Sequence, residues 1–80
     1  FEYANTENLF KIFDMLESES KNLTNNKLSL PAYDQCLKAS HIFNILDARG
    51  VISVVQRAEY IGRIRDLVKG IGLIWLETQK

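Results

Sequence analysis

Apolar residues recur along this chain at helical spacing in three blocks separated by two polar breaks. In the first block Leu9, Phe10, Ile12, Phe13 and Leu16 fall on one helix face. Ahead of them Asn5-Thr6 offers an N-cap, and Glu7 puts a carboxylate at the positive end of the helix dipole. From Glu17 to Lys27 the one apolar anchor is Leu23, and Asn22, Thr24, Asn25 and Asn26 favour local side-chain bonds over helix. The pattern predicts a helix over about 6–22 and a loop over 24–28. The second block follows Ser29 and Leu30-Pro31, where proline is tolerated because a first-turn N–H has no helical partner. It predicts a helix over about 30–48 whose inner face carries Tyr33, Cys36, Leu37, Ala39, Ser40, Phe43 and Leu46, with Ile42 and Ile45 at the flanks. Apolar residues cover more than half of its circumference, so this helix is expected at the centre, contacted from two sides.

Gly50 stands where a left-handed residue closes a helix at little steric cost. Ser53-Val54-Val55-Gln56 then matches a capping box, with serine taking the amide three residues on and glutamine reaching back. It opens a third helix over about 54–78 with two apolar stripes, Val54, Ala58, Ile61, Val68, Ile71 and Trp75 beside Tyr60, Ile64, Leu67, Ile71 and Ile74. Both stripes are expected to be buried, with Arg57, Glu59, Arg63, Asp66 and Lys69 outward and Glu59–Arg63 and Asp66–Lys69 as intrahelical pairs. Gly70 and Gly72 mark a bend or the close approach of a neighbouring backbone. The reading is an all-α fold, a small antiparallel three-helix bundle forming one domain over residues 1–80.

Composition narrows the function classes. Hydrophobic and charged fractions of 46% and 25% are ordinary for a globular chain, and 80 residues bury only a modest core. There is no apolar run long enough to span a membrane, no secretory leader is expected, and Cys36 has no second cysteine here with which to pair, which fits a reducing compartment. The chain opens on Phe1 with Met15 as its one methionine, so it is expected to be a piece of a longer protein. Formal net charge is zero: residues 1–30 carry five acids against three lysines, whereas residues 49–69 carry five cations against two acids. That mild dipole is no nucleic-acid stripe.

No phosphate loop, CxxC, HExxH or histidine pair is present, so no catalytic, cofactor-binding or metal-binding residue is assigned. Cys36 reads as a small core hydrophobe, His41 as an ordinary imidazole, and Tyr60 and Trp75 as core or interface aromatics. The arginines Arg49, Arg57, Arg63 and Arg65 form the one set with a functional reading, as contacts to a phosphate backbone or an acidic partner surface. The bland alternative is a solvated face with intrahelical pairs and Arg49 on the carbonyls that end the second helix. At the corner, Asp47, Gly50, Ser53 and Gln56 are expected to fix the hairpin, with Arg49 and Arg57 joining Asp47 in an ion-pair lock.

These residues carry a resemblance. Leu30-Pro31-Ala32-Tyr33, Leu37-Lys38-Ala39-Ser40-His41, the corner Leu46-Asp47-Ala48-Arg49-Gly50, Ile52-Ser53-Val54 with Arg57, Tyr60-Ile61 and Arg63-Ile64-Arg65 resemble the C-terminal helical region of the bacterial-type glycyl-tRNA synthetase α chain. Phe1-Glu2-Tyr3-Ala4 with Leu9-Phe10 resembles the segment leading into it, so the match runs from Phe1 to about Leu67. Val55-Gln56 departs from the family's usual threonine and glutamate, and Val68 to Lys80 brings apolar residues and glycines where the family has an alanine-rich helix. The same region also occurs in chains that fuse α and β subunits. The resemblance implies a cytoplasmic parent enzyme, a class II ligase that joins glycine to its tRNA with ATP and Mg2+ through a glycyl-adenylate. Its catalytic motifs lie N-terminal to this region, which makes residues 1–5 a strap from the missing catalytic domain and the 80 residues a non-catalytic accessory domain. Expected partners are the rest of the α chain, the β subunit or β region, and tRNA(Gly). The alternative is a free-standing helical module that binds protein or RNA.

Overall fold

Asn5 starts the first helix by accepting the Asn8 amide on its side chain at 2.8 Å. The computed structural model describes residues 5–78 as three helices, α1 (Thr6–Asn25), α2 (Ser29–Ala48) and α3 (Val54–Thr78). Ion pairs join the middle of α1 to Arg63 and its end to Glu77, so α1 and α3 run parallel with α2 antiparallel between them. The bundle measures 43 × 23 × 14 Å.

The first helix runs two residues into the loop expected over 24–28, to Asn25, and the turn keeps residues 26–28. Its polar end residues support the helix rather than compete with it: Thr24 Oγ1 donates to the Ser20 carbonyl at 2.8 Å and Asn26 Nδ2 to the Asn22 carbonyl at 2.8 Å. The chain then turns through a Schellman closure, with Lys27 N–H on Thr24 O at 3.0 Å and Leu28 N–H on Leu23 O at 2.9 Å. Lys27 takes the left-handed conformation there, φ 61°, a position where glycine is usual. Ser20, which has no place in an apolar pattern, is fully buried and donates to the Ala32 carbonyl of α2 at 2.9 Å.

Two apolar clusters lie along the bundle. At the corner end Leu9 and Phe13 of α1 meet Ala39, Ile42, Phe43 and Leu46 of α2 and Tyr60 of α3. At the opposite end Ala32 and Cys36 meet Leu67 and Ile71, and Ile64 packs against both clusters. The inner face of α2 is therefore rotated from the expected one. Ile42 is wholly buried instead of flanking, Ala32 joins the core, and Tyr33 and Leu37 are exposed. On α3 only the stripe Tyr60, Ile64, Leu67, Ile71, Ile74 turns inward. The expectation that both stripes are buried fails: two neighbouring helices occupy one side of α3, leaving Val54 at 87% exposure with Ile61, Val68 and Trp75 also open to solvent. Residues 54–78 form one unbroken helix, and at Gly70 a Cβ would lie 3.6 Å from the Thr24 methyl, an ordinary contact. Of the strap expected over residues 1–5, residues 1–4 lie outside the described residues, and Asn5 is the N-cap of α1.

Candidate functional site

The corner between α2 and α3 is built from local chemistry. Gly50 follows the α2 C-cap with φ 69°, and its amide donates to Asp47 O at 3.0 Å. Both halves of the capping box form, with Gln56 N–H donating to Ser53 Oγ at 3.1 Å and Ser53 N–H to Gln56 Oε1 at 3.0 Å. Asp47 stands in the last turn of α2 and Arg57 in the first turn of α3, each at the end of its helix dipole that disfavours its charge. Pairing across the corner, Arg57 Nη2 to Asp47 Oδ2 at 3.1 Å, offsets both. Arg57 is mostly exposed in this pair, which keeps it in the weak class of surface bridges. Arg49 is the half-buried C-cap of α2, and its amide donates to Ile45 O at 3.0 Å.

Arg63 does not pair with Glu59 along its own helix. It crosses to α1, where Nε donates to Glu17 Oε2 at 2.8 Å, and Nη2 donates to Glu17 Oε1 at 2.6 Å and to Asp14 Oδ1 at 2.8 Å. The guanidinium also lies 4.8 Å from the ring centroids of both Phe13 and Tyr60. A fork held by one carboxylate and stacked on two rings outweighs a solvated intrahelical pair. The Glu17 carboxyl is held below its usual range, chiefly by the hydrogen bonds from Arg63 against the opposing effect of burial. Arg63 is held above its own range, first by its bonds to Glu17. A signal for this lock was present in sequence: Asp14 and Glu17 at i,i+3 put two carboxylates on one flank of the face that carries Phe13. Asp66 and Lys69 make no bridge to each other among the described residues, and Arg65 is exposed on α3.

The structure thus separates the four arginines. Arg49 and Arg57 share the corner, Arg63 closes the α1/α3 seam, and Arg65 lies on the far side of α3. That far side borders an apolar groove of about 310 Å³ between α2 and α3, lined by Leu30 and Tyr33 from α2 and Val68, Ile71, Gly72 and Trp75 from α3, with Ser29 at its edge. Leu37 continues the exposed apolar surface along α2 and Ile61 along α3. The groove comes from the α3 stripe and α2 residues that stay outside the core.

Remaining candidates for chemistry have ordinary surroundings. Cys36 is buried, and desolvation pushes its thiol above the usual range, away from the nucleophilic thiolate. His41 is exposed on α2, one turn from an Asp34–Lys38 pair at 3.4 Å. Among the described residues no group of three His, Cys, Asp or Glu side chains could hold a metal ion. No helix of the described residues is long and apolar enough to cross a membrane.

Fold and surfaces together define an all-α bundle with a tight ionic seam on one side and an unpartnered apolar groove on the other. A family model described as glycyl-tRNA synthetase alpha subunit matches residues 1–80. The chain belongs to the glycyl-tRNA synthetase alpha subunit family.

Proposed function

We propose that this bundle is the accessory helical domain of a glycine–tRNA ligase and serves contact between parts of that enzyme rather than bond chemistry. In this reading the parent is a cytoplasmic class II synthetase that makes glycyl-tRNA from glycine, ATP and tRNA(Gly), with ATP and Mg2+ held by residues of its catalytic domain. The observation that carries the reading is the α2/α3 groove: Tyr33 and Trp75 stand 45% and 44% exposed around it, beside exposed Leu30 and Val68 in one apolar hollow. A protein partner is favoured over RNA because formal net charge is zero and because Arg57 and Arg63 are engaged by Asp47, Asp14 and Glu17. Deleting the domain from the full-length enzyme tests this. Subunit association and aminoacylation are expected to fall while glycyl-adenylate formation persists in the isolated catalytic domain. An enzyme that assembles and charges tRNA normally without these residues refutes the proposal.

A further inference from the structure

We infer that the α2/α3 groove receives an acidic amphipathic helix from the enzyme's second polypeptide, with one large apolar side chain seated between Tyr33 and Trp75. The inference rests on the accessory-domain reading and adds the chemistry of the occupant. Leu30 and Tyr33 on α2 face Val68 and Trp75 on α3 across the groove, and exposed Leu37 on α2 and Ile61 and Val54 on α3 continue the two rows beyond it. The α3 row repeats every seven residues, the spacing with which a helix presents one side to a helical neighbour. Gly72 opens the floor: a Cβ built there meets nothing within 4 Å, so a partner can approach the α3 backbone closely.

Charge decides which helix. On the α3 rim Arg65 lies beside the row and Lys69 one turn further, both exposed, and the bundle gives neither a salt bridge among the described residues. On the α2 rim the Asp34 carboxylate is already neutralised by Lys38 and the next side chain is His41. Asp66, the neighbouring acid on α3, lines a separate hollow with Lys21 and Thr24 of α1, so the rim turns Arg65 and Lys69 toward whatever fills the groove. A second copy of this chain fits poorly. A two-fold that brings Val54 onto Trp75 and Ile61 onto Val68 sets Arg65 against its own mate at the axis. An acidic helix meets the same cations favourably, and the cavity of about 310 Å³ suits an aromatic anchor, the side-chain type that dominates such contacts.

The test uses the full-length alpha polypeptide titrated with the beta polypeptide by sedimentation velocity over a salt series. Gly72→Leu fills the groove floor at an exposed helical position, so folding is preserved or improved, and association is expected to weaken by about tenfold or more. Arg65→Glu is expected to weaken association by about tenfold at low salt and to flatten its salt dependence. Hydrogen exchange on adding the beta polypeptide should slow over 30–37 and 68–75 and leave the outer face of α1 unchanged. Wild-type association in both variants overturns the inference, and so does loss of tRNA affinity with association intact, which would assign the cations to RNA. If deletion of the domain impairs assembly while both variants assemble normally, the groove inference falls and the accessory reading stands. An enzyme indifferent to the deletion defeats both.

Discussion

Replacing Arg63 by alanine should remove a large share of the bundle's stability. The side chain is 35% exposed and its main partner, Glu17, 13% exposed, so the two charge-assisted bonds between them lie between the buried and surface regimes. Hydrogen bonds to charged groups contribute about 1.5–3 kcal/mol, and partial exposure puts this pair in the lower half of that span. The bond to Asp14, a mostly exposed carboxylate, adds about 0.5 kcal/mol or less. Stacking on Phe13 and Tyr60 adds about 0.5 kcal/mol per ring. Arg63→Ala should therefore cost about 2.5–4 kcal/mol, against a net stability of about 3–5 kcal/mol for a domain of this size. The assay is urea unfolding at 10 °C followed by circular dichroism at 222 nm, with Arg65→Ala as the surface control expected within about 0.5 kcal/mol of wild type. A double-mutant cycle with Glu17→Gln should return a coupling of about 1–1.5 kcal/mol. Arg63→Lys keeps the charge but loses the fork, and should recover only part of the loss. Equal effects of Arg63→Ala and Arg65→Ala, or an additive cycle, would refute the seam as a source of stability.

The same seam predicts a pH response. Because Arg63 holds the Glu17 carboxyl below its ordinary value of 4.5, the folded state binds that proton less readily than the unfolded one. Its contribution is complete above that value and lost as pH falls through and below it; urea midpoints for Glu17→Gln should decline less steeply there than wild type. Gly50→Ala should lower stability by about 1 kcal/mol, read as the same shift in the urea midpoint, because φ 69° strains an L side chain although a Cβ there meets nothing within 4 Å. Lys27→Gly should act in the opposite sense, gaining up to about 1 kcal/mol in thermal unfolding by relieving φ 61°, less the small share of an exposed Lys27–Glu77 pair. Gly62→Ala, helical with open space around its Cβ position, should raise stability by about 0.5–1 kcal/mol in the same thermal assay.

Features of this fold that were legible in sequence act over a few residues. Asn5 caps α1, Gly50 ends α2, and Ser53 with Gln56 starts α3, each through bonds spanning four residues or fewer. The extension of α1 to Asn25 was hidden because Thr24 and Asn26 can bond carbonyls inside a helix as readily as they can form a turn. What tips the choice is remote, since Ser20 is anchored to Ala32 of α2. Arg63 shows the same limit of spacing rules: Glu59 is four residues away, yet Glu17, separated by 46 positions, takes the guanidinium.

The two apolar stripes of α3 extend that reasoning to function. Periodicity shows that a side chain repeats on one face, but it is silent on whether the neighbour covering that face belongs to the same bundle. With two companion helices, α3 can cover one of its stripes, and Tyr60, Ile64, Leu67, Ile71 and Ile74 take that place because Phe13 and Phe43 pack against the Tyr60 ring at 4.7 and 6.0 Å. The second stripe then has no internal partner. Ile61, Val68 and Trp75 stand 40%, 47% and 44% exposed, so each forgoes a little under half of the roughly 1.5–3 kcal/mol that full burial contributes, together about 2–4 kcal/mol beside a net stability of about 3–5 kcal/mol. A fourth helix laid along α2 and α3 would recover much of it. The surplus stripe is thus the point at which the physics of this small fold leads to association within the enzyme.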